Sequence, residues 1–280
     1  VESDFKSLVE SDASVKLVVE KYYFIQYLLD VQLKEATNYA HENGVIVKGD
    51  IAIGVYRYGV DAWQHPNLFH MDMQAGAPPD DFAVAGQNWG FPTYNWDEMT
   101  TNGFAWWKQR FEQMSVYFDA FRIDHILGFF RIWSIPMEAV EGILGHFVPA
   151  IPIHENELKE RGIQINVSEF AKPVITEKAL WEYFGYVNEV VKAEFVTYDG
   201  FGKYTLKPAF ATQRLVEKHF AALPISDYNN KIKHGLFHLI SNVIFIEAKE
   251  KQYAGKNYYH LRFGIENTAA FKGLDGSIQH

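Results

Sequence analysis

Apolar residues between 15 and 43 recur at helical spacing, with Leu29, Leu33, Ala36 and Ala40 on one stripe. The spacing predicts one long helix. Gly44 suits the left-handed position that closes it. The pattern then switches. "VIVKGDIAIGVY", Val45 to Tyr56, is β-branched and apolar on both faces, as a strand buried in a parallel sheet should be. Asp50 interrupts it. Residues 57–103 carry Pro66, Pro78, Pro79 and Pro92, which forbid a continuous helix and predict a long irregular excursion. A loop of that length in a compact domain is usually functional. A second helix is predicted over about 104–116, with Trp107, Phe111, Met114 and Phe118 as its stripe or exit. A strand follows at about 118–124, inside "YFDAFRIDHILGFFRIW".

Residues 15–133 thus read helix, strand, long loop, helix, strand. A strand–helix–strand unit implies parallel pairing, and parallel sheets place ligands at the C-terminal ends of their strands. Asp50 and Asp124 lie toward those ends. The texture changes after 136. Residues 137–146, 174–193, 209–221 and 230–240 read as helices, "FVTYDGFGKYTLKPAF" as an extended pair around Asp199-Gly200, and "NVIFIEA" as a strand. The predicted division is residues 1–136, carrying the Asp50 and Asp124 strands, and residues 137–280, a mostly helical subregion.

A length of 280 residues allows one large domain or two small ones. The net charge of −9 disfavours a nucleic-acid partner, which would need a basic face. The absence of cysteine excludes disulfides and thiolate metal sites. No apolar run reaches membrane length, so no membrane partner and a cytoplasmic setting are expected. The aromatic content of 16% is high, and it serves a core or a sugar site equally well.

Side chains alternate along a strand, so Arg122 and Asp124 share a face. A guanidinium beside a carboxylate favours its ionised form, and an oriented carboxylate at a strand end can act as a nucleophile. The same pair also fits a structural ion pair in a core. The excursion adds weight to chemistry. "GAPPDDFAVAGQNWGFPTYNW" joins a stiff Pro-Pro turn to Gln87, Asn88, Trp89, Tyr94 and Trp96. Amides able to bond hydroxyls stand there beside aromatic platforms, as in a carbohydrate cleft; packing the loop down is the plainer use of those aromatics. The histidines at 41, 65, 70, 125, 146 and 154 show no HExxH-like spacing. No metal and no cofactor are called for.

Five segments in order, "KGDIAIG", "DAWQHPNLFHMD", "GAPPDDFAVAGQNWGFPTYNW", "GFAWWKQRFEQM" and "FRIDHILGFFRIWSIP", resemble glycoside hydrolase family 77, the amylomaltases or 4-alpha-glucanotransferases. Residues beyond 136 resemble the longer members, whose catalytic domain carries an insertion. The resemblance implies an α/β fold: part of a (β/α)8 (TIM) barrel of the α-amylase clan with a mostly helical inserted subregion. It implies a retaining transferase acting on α-1,4-glucans such as maltooligosaccharides, starch or glycogen. In it Asp124 matches the nucleophile and Arg122 the arginine that orients it and keeps it ionised. Asp50, Gln87, Trp89 and His125 match substrate-binding positions, and the loop at 76–92 is expected to cover the site. Ala52 stands where the family usually has proline, and Asp81 where simpler members have tyrosine. A retaining enzyme needs a second carboxyl group as acid/base. The family's Gly-Glu-Asp-Leu-Gly-like stretch and its late His-Asp are not found in this sequence, and Glu247 and Glu266 fall in a stretch that resembles the insertion of the longer members. The expectation is an internal segment, inactive alone, from a parent transferase that is a possible oligomer. A hydrolase of the same clan and a non-catalytic glucan-binding module are the rival readings.

Overall fold

A computed structural model describes residues 2–279. Contacts divide them into two compact units. One holds the chain up to Ile53 together with Trp96–His125; the other holds Gly54–Asn95 and Ile126 onward.

In the first unit the predicted long helix spans Ala13–Glu42. Asp12 caps it, its carboxylate accepting from the N–H groups of Ser14 at 2.8 Å and Val15 at 3.3 Å. At the far end Gly44 adopts φ 71°. The Gly44 N–H then reaches the His41 carbonyl and the Val45 N–H the Ala40 carbonyl, both at 2.9 Å. This is the Schellman closure that glycine permits. The apolar stripe, however, is largely open in this chain, and Thr37 is the buried residue of the helix. Thirty residues of helix run about 45 Å. The unit's sheet has two strands and is too narrow to cover that length.

Those strands are Lys48–Ile51 and Ala120–Ile123, paired in parallel with Lys48 opposite Ala120 and Asp50 opposite Arg122. The first is shorter than the apolar run suggested, and it is not buried on both faces. Gly49 and Ile51 are buried, whereas Lys48 and Asp50 are exposed. The alternation leaves one face open. Gly49 is required by close packing, since a Cβ there would lie 2.5 Å from the Phe118 ring. Asp119 fixes the entry to the second strand by accepting from His41 Nε2 at 2.8 Å and from the Val47 N–H at 2.9 Å. The intervening helix, Ala105–Ser115, buries Trp107. Arg110 lies over the Trp107 ring at 4.9 Å and donates to the Ala52 carbonyl at 3.0 Å.

In the second unit the excursion is not irregular. Met73–Ala77 and Gln87–Asn88 pair with each other, and Met73–Ala77 also pairs with Ile132–Pro136, which in turn pairs with His146–Val148. The result is a four-stranded antiparallel sheet around Trp133, Ile135 and Ala139. This corrects the expected boundary at 136, because residues 54–95 pack with the later part of the chain. Buried Arg57 ties the segment down by donating to the carbonyls of Gly90 at 3.0 Å, Met71 at 2.6 Å and Met73.

The helix predicted over 137–146 does not form. The structure has a short 3-10 turn at Gly142–Leu144 and then the His146–Val148 strand. The backbone donors a helix would use internally are taken by distant groups. Gln213 Oε1 accepts from the Val140 and Glu141 N–H groups at 2.9 and 3.0 Å, and the Ala85 carbonyl accepts from Ile143 at 2.8 Å. Other expectations hold. Helices span Glu177–Phe184, Asn188–Glu194, Gln213–Ala221 and Asp227–Ile240, packing Phe184, Leu180, Val191, Val216 and Leu236 into the largest core. Val196–Tyr198 and Lys203–Leu206 form the predicted hairpin, and Phe245–Glu247 is a strand antiparallel to Tyr258–Leu261. Among the described residues no helix is long and apolar enough to cross a membrane.

Candidate active site

Parallel register puts Asp50 and Arg122 directly opposite each other. Asp124 lies one residue beyond its strand, held in line by its N–H bond to the Ile51 carbonyl at 3.0 Å. These facts bring three charged groups together. Arg122 Nη1 donates to Asp50 Oδ2 at 3.2 Å, and Arg122 Nη2 donates to Asp124 Oδ1 at 3.1 Å. One planar guanidinium therefore separates and aligns two carboxylates, a task suited to its rigid fork of donors and not to a lysine.

The three side chains keep 59%, 57% and 47% of their surface exposed for Arg122, Asp50 and Asp124. That removes the core ion pair as an explanation within this chain: a buried pair stabilises or costs through desolvation, and this one stays wet. Two carboxylates held at one strand end by a shared cation, open to solvent, can present an oriented oxygen to an incoming electrophile. Sequence alone paired Arg122 with Asp124. The second partner, Asp50, depended on interstrand register, for which the sequence carries no local signal.

His125 follows with φ 52°. The left-handed region is unusual for a side chain other than glycine, asparagine or aspartate, though histidine is enriched there. The turn begins at Asp124, directly after the strand, and leaves His125 exposed. Backbone of this kind costs on the order of 1–3 kcal/mol and clusters at functional sites.

Gln87 and Trp89 belong to the second unit and form their own group. Trp89 Nε1 donates to Gln87 Oε1 at 3.0 Å, and the Trp89 ring stacks against Phe91 at 5.7 Å. The Trp89 N–H bonds the Ala75 carbonyl at 3.0 Å, which anchors the backbone beneath them. Gln87 is exposed and Trp89 half-buried. Tyr94, by contrast, is 7% exposed and packs against Phe69 at 5.5 Å, so this loop aromatic serves the core.

Comparison with known proteins matches the chain to one family. The family model described as 4-alpha-glucanotransferase, glycoside hydrolase family 77, matches residues 2–253. The chain is 41% identical over 261 residues to the 4-alpha-glucanotransferase DPE2 of Oryza sativa subsp. japonica, covering 91% of this chain and 27% of that protein. It is 34% identical over 179 residues to the chloroplastic/amyloplastic 4-alpha-glucanotransferase of Solanum tuberosum, covering 61% of this chain and 31% of that protein. Among solved structures, the amylomaltase of Streptococcus agalactiae in complex with acarbose aligns with a TM-score of 0.49 at 19% identity, over 92% of this chain and 62% of that one. The chain spans between about a quarter and a third of the length of these two curated relatives. With the model matching nearly the whole chain, the protein belongs to the 4-alpha-glucanotransferase family, glycoside hydrolase family 77.

Proposed function

We propose that this chain is the nucleophile-bearing part of a 4-alpha-glucanotransferase, and that its parallel strands are two neighbours of a (β/α)8 barrel completed by chain outside these residues. The observation that carries the reading is the Arg122 fork between Asp50 and Asp124 at the strand ends. Asp124 attacks C1 of an α-1,4-linked glucosyl unit, and the bond from C1 to the glycosidic oxygen breaks as a glutamate elsewhere in the parent protonates that oxygen. The product is a covalent glycosyl-aspartate. The same glutamate then takes the proton from the 4-hydroxyl of an acceptor glucan, whose oxygen displaces Asp124. Arg122 positions the nucleophile. Asp50 and His125 meet substrate hydroxyls, and Gln87 and Trp89 offer an amide and a flat face to a sugar ring.

No cofactor enters this scheme. Retaining chemistry needs an acid/base carboxyl group beside the nucleophile, and the family's acid/base stretch is not found in this sequence, so the 280-residue chain alone is inactive in this reading. The test uses maltotriose. The parent converts it to glucose and longer oligomers with nearly constant reducing ends, and Asp124→Asn in the parent abolishes this. Rising reducing ends would make the parent a hydrolase of the same clan, and turnover by the isolated chain would overturn its assignment as an incomplete site.

A further inference from the structure

The second unit gathers two histidines and one glutamate from distant points of the sequence. His146 opens the His146–Val148 strand, His260 lies in the Tyr258–Leu261 strand, and Glu250 lies in the segment between Phe245–Glu247 and that strand. Glu250 Oε1 is 3.2 Å from His146 Nε2 and 3.0 Å from His260 Nε2. The two imidazole rings stack with centroids 4.0 Å apart. Both histidine side chains are more than nine-tenths buried. As a purely hydrogen-bonded cluster the group is incomplete, since Glu250 Oε2 and His146 Nδ1 are buried without a hydrogen-bond partner.

We propose that His146, Glu250 and His260 bind a divalent transition-metal ion of the zinc class, a site separate from the glucan chemistry. One ligand atom from each lies within 4.8 Å of the others. Two ligands bonded at about 2.0–2.1 Å to a tetrahedral ion stand roughly 3.3 Å apart, which is close to the 3.0 and 3.2 Å separations here. Two imidazoles and one carboxylate form a set that zinc favours and that hard cations such as magnesium do not. Glu250 Oε1 and the two Nε2 atoms would be the ligands, and two-oxygen binding of the ion would also give Glu250 Oε2 the partner it lacks. Both histidines line a cavity of about 320 Å³ shared with Arg131, Trp133 and Phe147, from which solvent can complete the coordination. His146 and Glu250 are 104 residues apart, so the ion would act as a clasp between the four-stranded sheet and the sheet of Tyr258–Leu261.

The experiment is titration of the metal-stripped 280-residue chain with Zn²⁺ by calorimetry and with Co²⁺ by visible absorption, repeated on Glu250→Gln and His260→Gln. The expected result is one ion per chain and intense tetrahedral Co²⁺ bands. Binding should weaken by on the order of 100-fold in each variant, and a melting-temperature rise of roughly 5 °C at saturating zinc should appear only in the unsubstituted chain. No stoichiometric uptake by the unsubstituted chain overturns the site whatever the variants' folding. Uptake equal in all three chains overturns it too, by assigning the ion to other histidines.

Discussion

Replacing Arg122 by methionine separates a structural role from a catalytic one. Methionine keeps the apolar stem and removes the fork. In the chain, Arg122 makes two charge-assisted bonds at 3.1 and 3.2 Å with carboxylates that remain about half exposed. Solvent-exposed pairs contribute about 0–1 kcal/mol each. The like charges of Asp50 and Asp124 would then face each other through water, which adds little more at high dielectric. The predicted loss of stability for the 280-residue chain is therefore about 1 kcal/mol, read from urea unfolding with an unchanged m-value. Catalysis is more sensitive. Removing one preorganised group at a reacting centre costs about 10²–10³ in rate, or roughly 3–4 kcal/mol. Arg122→Met in the parent should thus lower kcat for transfer at least ~100-fold. Arg122→Lys should recover only part, because one ammonium cannot bond both carboxylates in the same geometry. A loss of stability above about 3 kcal/mol with transfer intact would refute the reasoning and restore the structural ion pair.

Further tests address the frame around the pair. Gly49→Ala places a Cβ 2.5 Å from the Phe118 ring, an overpacking expected to cost about 1–3 kcal/mol in thermal unfolding. Asp119 is held below its ordinary pKa of 3.8 by the Val47 N–H and then by His41. A lowered folded-state pKa means that its contribution is complete above 3.8 and is lost as pH falls through the lower folded value. Asp119→Asn should therefore be less stable than the unsubstituted chain at pH 7, with the gap closing only in strong acid; a gap that stays constant to pH 2 would show that charge is not the cause. His125→Val should lose about 1–2 kcal/mol in thermal unfolding by forcing a β-branched residue to φ 52°.

Elements whose periodicity repeats within the element itself were legible before folding. The Ala13–Glu42 and Ala105–Ser115 helices carry their own 3.6-residue pattern, and Gly44 marks the end of the first. The Val196–Tyr198 and Lys203–Leu206 hairpin announces itself by Asp199-Gly200. The short strands of the excursion were not legible. Gln87–Asn88 exists because Ala77 and Gly76 lie opposite, 10 and 12 residues away, and Met73–Ala77 because Ile132–Pro136 does, 57 to 63 residues away. The failed helix at 137–146 has the same cause, since Gln213 claims the donors of Val140 and Glu141 from more than 70 residues away.

The candidate site divides along the same line. The sequence by itself determined that Arg122 and Asp124 share one face, because side-chain alternation is a local property of any strand. It also carried the ordered motifs that resemble one family. Only the tertiary structure decided that Asp50 stands opposite Arg122 and that the three groups remain open to solvent. Only folding could also assemble His146, Glu250 and His260. Register and burial are set by pairings between distant segments, and their energies do not appear in any local window of the chain.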